Sequence, residues 1–142
     1  MKPLLLALAF LLTGCVSHVD SKGNYTGYSL HASQAAQVAR NVTAELVKRY
    51  PARSVFTFAY ECCDAFPIEL EKAIRAAGMG ISPVVTPGYN TLRYRLERLN
   101  DHQFFVVIIV NQNSFQTIWS DDDNALVRLK TITQFEVTHG NG

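Results

Sequence analysis

The chain has 142 residues, with 13 Lys and Arg against 12 Asp and Glu, 48% hydrophobic residues and 18% charged residues. That length fits one domain, and so high an apolar share with so little net charge excludes a disordered chain. A formal charge of +1 gives no electrostatic footprint for nucleic acid, and three cysteines are too few for a disulfide framework.

The N-terminus reads as an address. Met1 and Lys2 supply a short basic start, and residues 4–12 (LLLALAFLL) are uninterruptedly apolar. A membrane-spanning helix needs about 20 such residues, so the run is too short to cross a bilayer and fits the apolar region of a secretory signal. It ends in Leu12, Thr13, Gly14 and Cys15. Leucine, two small residues and a cysteine at this spacing resemble the lipobox of bacterial lipoproteins. The resemblance implies a diacylglyceryl group on the Cys15 thiol, cleavage between Gly14 and Cys15, and acylation of the new amino group. Several acyl chains make such an anchor stable where a single one does not. Val16, where an Asp would favour retention in the inner membrane, points to the outer membrane with the domain facing the periplasm.

Residues 16–30 are rich in Ser, Gly, Asn and Asp without an apolar period, which predicts a flexible tether. The expected layout is therefore a signal peptide over 1–14, a lipidated cysteine with its tether over 15–31, and one α+β periplasmic domain over 32–138. Within that domain Ser33 is expected to cap a helix running to about Tyr50. Its apolar stripe is Ala35, Val38, Ala39, Val42, Leu46 and Tyr50, and Glu45 lies on the polar face four residues before Arg49. Pro51 ends it. Residues 54–60 (SVFTFAY) predict a strand. Asp64 is expected to cap a second helix over 65–77, stopped by Gly78. Residues 80–86 predict a short edge strand, because Pro83 cannot donate to a ladder.

From Thr91 the pattern is all strand. Leu92, Tyr94 and Leu96 alternate with Arg93, Arg95 and Glu97. Residues 103–110 (QFFVVIIV) are apolar on both sides and predict the central strand, buried on both faces. A strand over 115–120, a solvated turn over 121–124 and one long or two short strands over 126–137 follow. Helix, strand, helix, strand and meander predict an α+β fold: two helices packed on a mainly antiparallel sheet, a small α/β sandwich.

Catalytic chemistry finds little footing. His18, His31, His102 and His139 form no metal-ligand spacing. Gly78 and Gly80 follow a helix instead of opening one, the wrong side for a phosphate. The acidic run Asp121, Asp122, Asp123 lacks the alternation and terminal Glu of a calcium loop. Glu61 and Asp64 would need a shared cleft to act as acid and base. No catalytic or metal-binding residue is assigned, and no cofactor beyond the covalent lipid on Cys15. Cys62 and Cys63 are the most unusual local feature in an oxidising compartment. A reduced pair, a vicinal disulfide, and a metal or intermolecular bond are all open to them. Arg93 and Arg95 share a strand face and form a candidate partner-binding surface for an acidic protein or for membrane headgroups.

The lipobox, a helix ending in LVKRYP (residues 46–51), a second helix opened by DAF (64–66) and continuing LEKAIRAAG (70–78), then LRYRL (92–96) and a strand-rich end occur in one order. Together they resemble TrbH, the conjugal transfer lipoprotein family of mating-pair-formation systems. The resemblance implies a non-enzymatic outer-membrane component of a conjugative type IV secretion apparatus. Its partners would be other channel subunits and, through the lipid, the membrane, with no direct nucleic acid and no small-molecule substrate. An envelope lipoprotein that regulates cell-wall or lipopolysaccharide assembly is the alternative.

Overall fold

The structure is a computed structural model, and it describes residues 18–122 and 125–136. In chain order the elements are β1 (His18–Val19), β2 (Tyr25–Thr26), α1 (Ala32–Arg49), β3 (Val55–Thr57), α2 (Ala65–Ala76), β4 (Gly80–Ser82), β5 (Asn90–Asn100), β6 (Gln103–Val110), β7 (Asn113–Asp122) and β8 (Ala125–Glu136). The α+β architecture expected from the sequence is the one observed: two helices on a mixed, mostly antiparallel sheet.

Strand β5 is the hub. One edge carries the antiparallel meander β5-β6-β7-β8. The other edge is shared, in parallel, by two short strands: β3 pairs at Asn90 and Thr91, and β2 pairs at Arg95 and Leu96. β4 lies outside β3, and β1 lies outside β2. β4 stops at Ser82, immediately before Pro83, so the proline punctuates this edge as its missing N–H requires.

Both helices cover the same face of the sheet. Ala35, Val38, Ala39, Val42 and Leu46 of α1 and Phe66, Leu70 and Ile74 of α2 are buried against Leu92, Tyr94, Leu96, Phe104, Val106, Ile108 and Val110. Phe66 meets Tyr94 edge to face at 5.1 Å. Trp119 is sealed in the same core, and its indole N–H donates to Thr117 Oγ1 at 2.8 Å. Gly78, at φ +85°, turns the chain out of α2 in the left-handed conformation that glycine adopts without strain.

Several expectations need correction. Helix α1 begins at Ala32, not after Ser33, because the Gln34 side chain folds back to accept the His31 backbone N–H at 3.1 Å. Asp64 occupies the N-cap position of α2 without a capping hydrogen bond, since its carboxylate accepts from Thr26 Oγ1 instead. Glu45 is buried, not solvated, and lies 3.2 Å from Lys48 and 3.9 Å from Arg128 on β8. Strand β6 is buried on one face alone: Phe104, Val106, Ile108 and Val110 are covered, while Phe105, Val107 and Ile109 are half-exposed.

The largest correction concerns the tether. From His18 onward it is part of the domain. Asp20 and Asn24 are almost fully buried, and they close the β1–β2 hairpin with polar bonds rather than with an apolar stripe. Asp20 accepts the backbone N–H groups of Lys22, Asn24 and Glu61 and the Asn24 side-chain amide. Asn24 also donates to the Ala59 carbonyl and accepts the Tyr94 N–H. The hairpin is thereby sewn to β5 and to the segment that precedes α2. Tyr28 follows, stacked on Phe104 at 4.6 Å with its hydroxyl donating to Asp121. Asp121, expected in a solvated turn, lies at the end of β7 and also accepts the Gln34 amide. Asp123 lies outside the described residues.

Candidate functional site

Cys15 lies outside the described residues. The first described residue is His18, so two residues separate the cysteine from β1. His139 also falls outside the described residues, and His31 and His102 are both exposed.

Cys62 and Cys63 are joined to each other as a vicinal disulfide in an exposed turn ahead of α2. The turn is held at both ends. Glu61 donates its N–H to Asp20 and accepts the Ser21 N–H at 2.9 Å. On the far side Asp64 accepts the Thr26 hydroxyl at 3.0 Å, and Thr26 and Tyr94 share a hydrogen bond at 3.2 Å. Cys63 and Asp64 rim a depression of about 220 Å³ that Thr26, Tyr28, Phe66 and Leu96 also line. Glu61 does not line it, so the two carboxylates do not meet in one cleft.

The electrostatics of this corner are those of a structural knot. Burial on its own would raise the Asp20 carboxyl. Hydrogen bonds from Asn24, first its side chain and then its backbone, and from the Glu61 and Lys22 backbones outweigh it and hold the group below its ordinary value. Burial pushes the Tyr94 hydroxyl up to about 12, against the hydrogen bond with Thr26. Burial, followed by donation to Glu71 at 2.6 Å, pushes Tyr60 up to about 12 as well. Tyr60 lines an open depression of about 320 Å³ with Lys22, Phe58 and Glu71, but its hydroxyl is held protonated there and is no poised base.

Another open depression, of about 530 Å³, is lined by His31, Gln34, Gln37, Asp121 and Asp122. Its Asp121 is already engaged by Tyr28 and Gln34. Among the described residues no group of three His, Cys, Asp or Glu side chains is arranged to hold a metal ion.

Arg93 and Arg95 lie on the face of β5 that the helices leave uncovered, and both are exposed. Arg95 is bonded to Glu97 through two nitrogens at 2.6 and 2.9 Å, and it lies 4.9 Å above the Tyr25 ring. Arg93 has no ionic partner among the described residues, and its side chain passes close to Gly23 in the hairpin turn. Arg98, their sequence neighbour, belongs to the opposite face, where it approaches Asp101 and the Tyr28 ring. Register puts Arg93 beside Ile109, Arg95 beside Val107 and Glu97 beside Phe105, and Phe105 beside Ile118 on β7. The two arginines therefore border an apolar centre that no described element covers. Sequence reasoning missed that centre because β6 is equally apolar on both sides. The one available clue was the alternation of Arg93 and Arg95 on the neighbouring strand.

Residues 20–135 match the family described as conjugal transfer protein TrbH, which is most of the chain. The chain belongs to the TrbH family. No curated protein and no solved structure matches it at a comparable level. The TrbH match begins at Asp20, the residue that locks the hairpin, so the family's extent includes the segment read from sequence as a tether. Membership makes this chain a conjugal transfer component, and the resemblance read from the order of its motifs is the family found.

Proposed function

We propose that this TrbH-family chain is an outer-membrane lipoprotein and an assembly component of a conjugative type IV secretion apparatus. The family match over residues 20–135 carries the conjugation part of this reading. The Cys15 lipobox with Val16 after it supports the anchor and the membrane. The domain acts by holding surfaces in place, not by turning over a substrate. Strand β8 pairs β7 on one side, and its outer edge has no strand partner among the described residues. An open edge of this kind recruits a partner strand through main-chain hydrogen bonds, which gives affinity without special side chains. Another channel subunit is the natural occupant.

The test is plasmid transfer. A clean deletion in donor cells is expected to cut transfer frequency by orders of magnitude with growth unchanged, and recipient genotype is not expected to matter. Labelled palmitate is expected to mark the wild-type protein and not Cys15→Ser. Normal transfer with a cell-wall or permeability defect in its place would favour an envelope regulator, and unlabelled protein in the soluble periplasm would end the lipoprotein reading.

A further inference from the structure

The face of the sheet away from the helices is apolar where water should meet it. A sheet with one covered face ordinarily turns polar residues to the other. Here Phe105, Val107, Ile109 and Ile118 form a half-exposed apolar centre across β6 and β7. The same face continues outward through Arg95 and Tyr25 to Val19 on β1, since register pairs Tyr25 with both. Val19 is 65% exposed. Arg93 and Arg95 stand along the border, with Glu97 bonded to Arg95.

The length of chain outside the structure says what covers this face. From Cys15 to His18 there are three steps of backbone, a reach of at most about 11 Å. A lipid on Cys15 cannot therefore suspend the domain away from the bilayer. It holds β1, the outer strand of this face, at the headgroup level. The charge distribution then selects which surface turns toward the lipid. The end of the sheet where β5 meets β6 carries Asp101, and the end of β7 beside it carries Asp121 and Asp122. An anionic surface repels that end. Arg93, which has no ionic partner among the described residues, and Arg95, which is paired with Glu97 on the same face, favour the open face, with arginine well suited to phosphate.

We propose that the open face of the sheet lies flat on anionic phospholipid, with Arg93 and Arg95 at the phosphates and the Phe105, Val107, Ile109 and Ile118 side chains against the headgroup boundary. This rests on the acylation of Cys15 argued above. It makes the lipid an orienting device: the helices then face the periplasmic space and the β8 edge points along the membrane plane, both free for other subunits.

The experiment uses the full acylated protein, reconstituted in vesicles of phosphatidylethanolamine and phosphatidylglycerol with bromine on the upper acyl chain. A tryptophan placed at the face by Val107→Trp is expected to lose about half its emission, as a group seated at the headgroup boundary does. Trp119 in the unaltered chain and a reporter at the far loop, Val85→Trp, are expected to keep theirs. In neutral phosphatidylcholine vesicles, or with Arg93→Glu and Arg95→Glu, the quenching at position 107 is expected to weaken. Hydroxyl-radical labelling of the unaltered chain is a second reading that needs no mutation: Phe105 and Tyr25 should be protected relative to Tyr89 in the anionic vesicles. Protein that floats with the vesicles yet shows no quenching at 107 and no protection at Phe105 overturns the proposal while leaving the anchor intact. So does a photocrosslinker at position 107 that captures another protein in donor cells, which would assign the face to a subunit. Protein that lacks the lipid mass and fails to float overturns the anchoring reading itself.

Discussion

The two faces of the meander are made of the same kinds of side chain in opposite surroundings. Phe104, Val106 and Ile108 are 0–1% exposed beneath the helices. Phe105, Val107 and Ile109, their immediate neighbours, are half-exposed on the other side. Composition does not separate the two rows, because the helices alone decide which is core. What distinguishes the open row is its border: arginines at 93 and 95, and a hairpin two residues beyond the proposed anchor.

The sharpest way to break this comparison is to place one charge on each side. Ile108→Asp is expected to abolish cooperative folding, since an unpaired carboxylate in this core costs several kcal/mol. Ile109→Asp, one residue on, is expected to stay folded, with a melting temperature within about 4 °C of wild type. Circular dichroism melts of the two variants decide it. A folded Ile108→Asp, or an unfolded Ile109→Asp, would mean that the faces have been assigned the wrong way round.

Asn24→Ala tests whether the hairpin belongs to the domain. The substitution strands the part-buried Ala59 carbonyl and the buried Tyr94 N–H and removes one of the bonds that Asp20 accepts. A loss of about 2 kcal/mol in denaturant melts is expected, the usual size for buried polar groups left unsatisfied. A tether would give no change.

Titration probes the same corner. Tyr94 and Tyr60 have their hydroxyls raised from 10 to about 12, so the folded state holds these protons more tightly than the unfolded one. The stability they contribute is complete below pH 10 and is lost as pH rises through 12. Tyr94→Phe should flatten the alkaline limb of a stability-against-pH curve. Asp20 runs the other way. Its folded value is depressed, so its contribution is present above its ordinary value of 3.8 and disappears as pH falls below it. Replacing Cys62 and Cys63 together by Ser is expected to have the smallest effect, below about 1 kcal/mol, because a bond between sequence neighbours closes almost no loop.

Much of the fold was legible because its signals are local. The stripe Ala35, Val38, Val42 and Leu46 and the stop at Gly78 are read from spacing and turn chemistry alone, and the limits of β6 at Gln103 and Val110 follow from one apolar run between turns. The hairpin was illegible because its burial is polar. Asp20 and Asn24 look like loop residues until Ala59 and Tyr94, far away in sequence, are brought to them. The Asp64 cap failed for a related reason, since Thr26 competes for the carboxylate from the other end of the domain. The open face was hidden by its own composition, and only the register between β5 and β6 shows that Arg93 and Arg95 stand beside Ile109 and Val107.

The central claim is that this conjugal transfer component works through a folded domain whose open sheet face makes an essential contact. Plasmid transfer from donors that carry Ile109→Asp in place of the wild-type chain tests it most directly, with protein levels matched by immunoblot. The account predicts normal accumulation of the protein and a transfer frequency lowered by at least an order of magnitude. Wild-type transfer from such donors would contradict it.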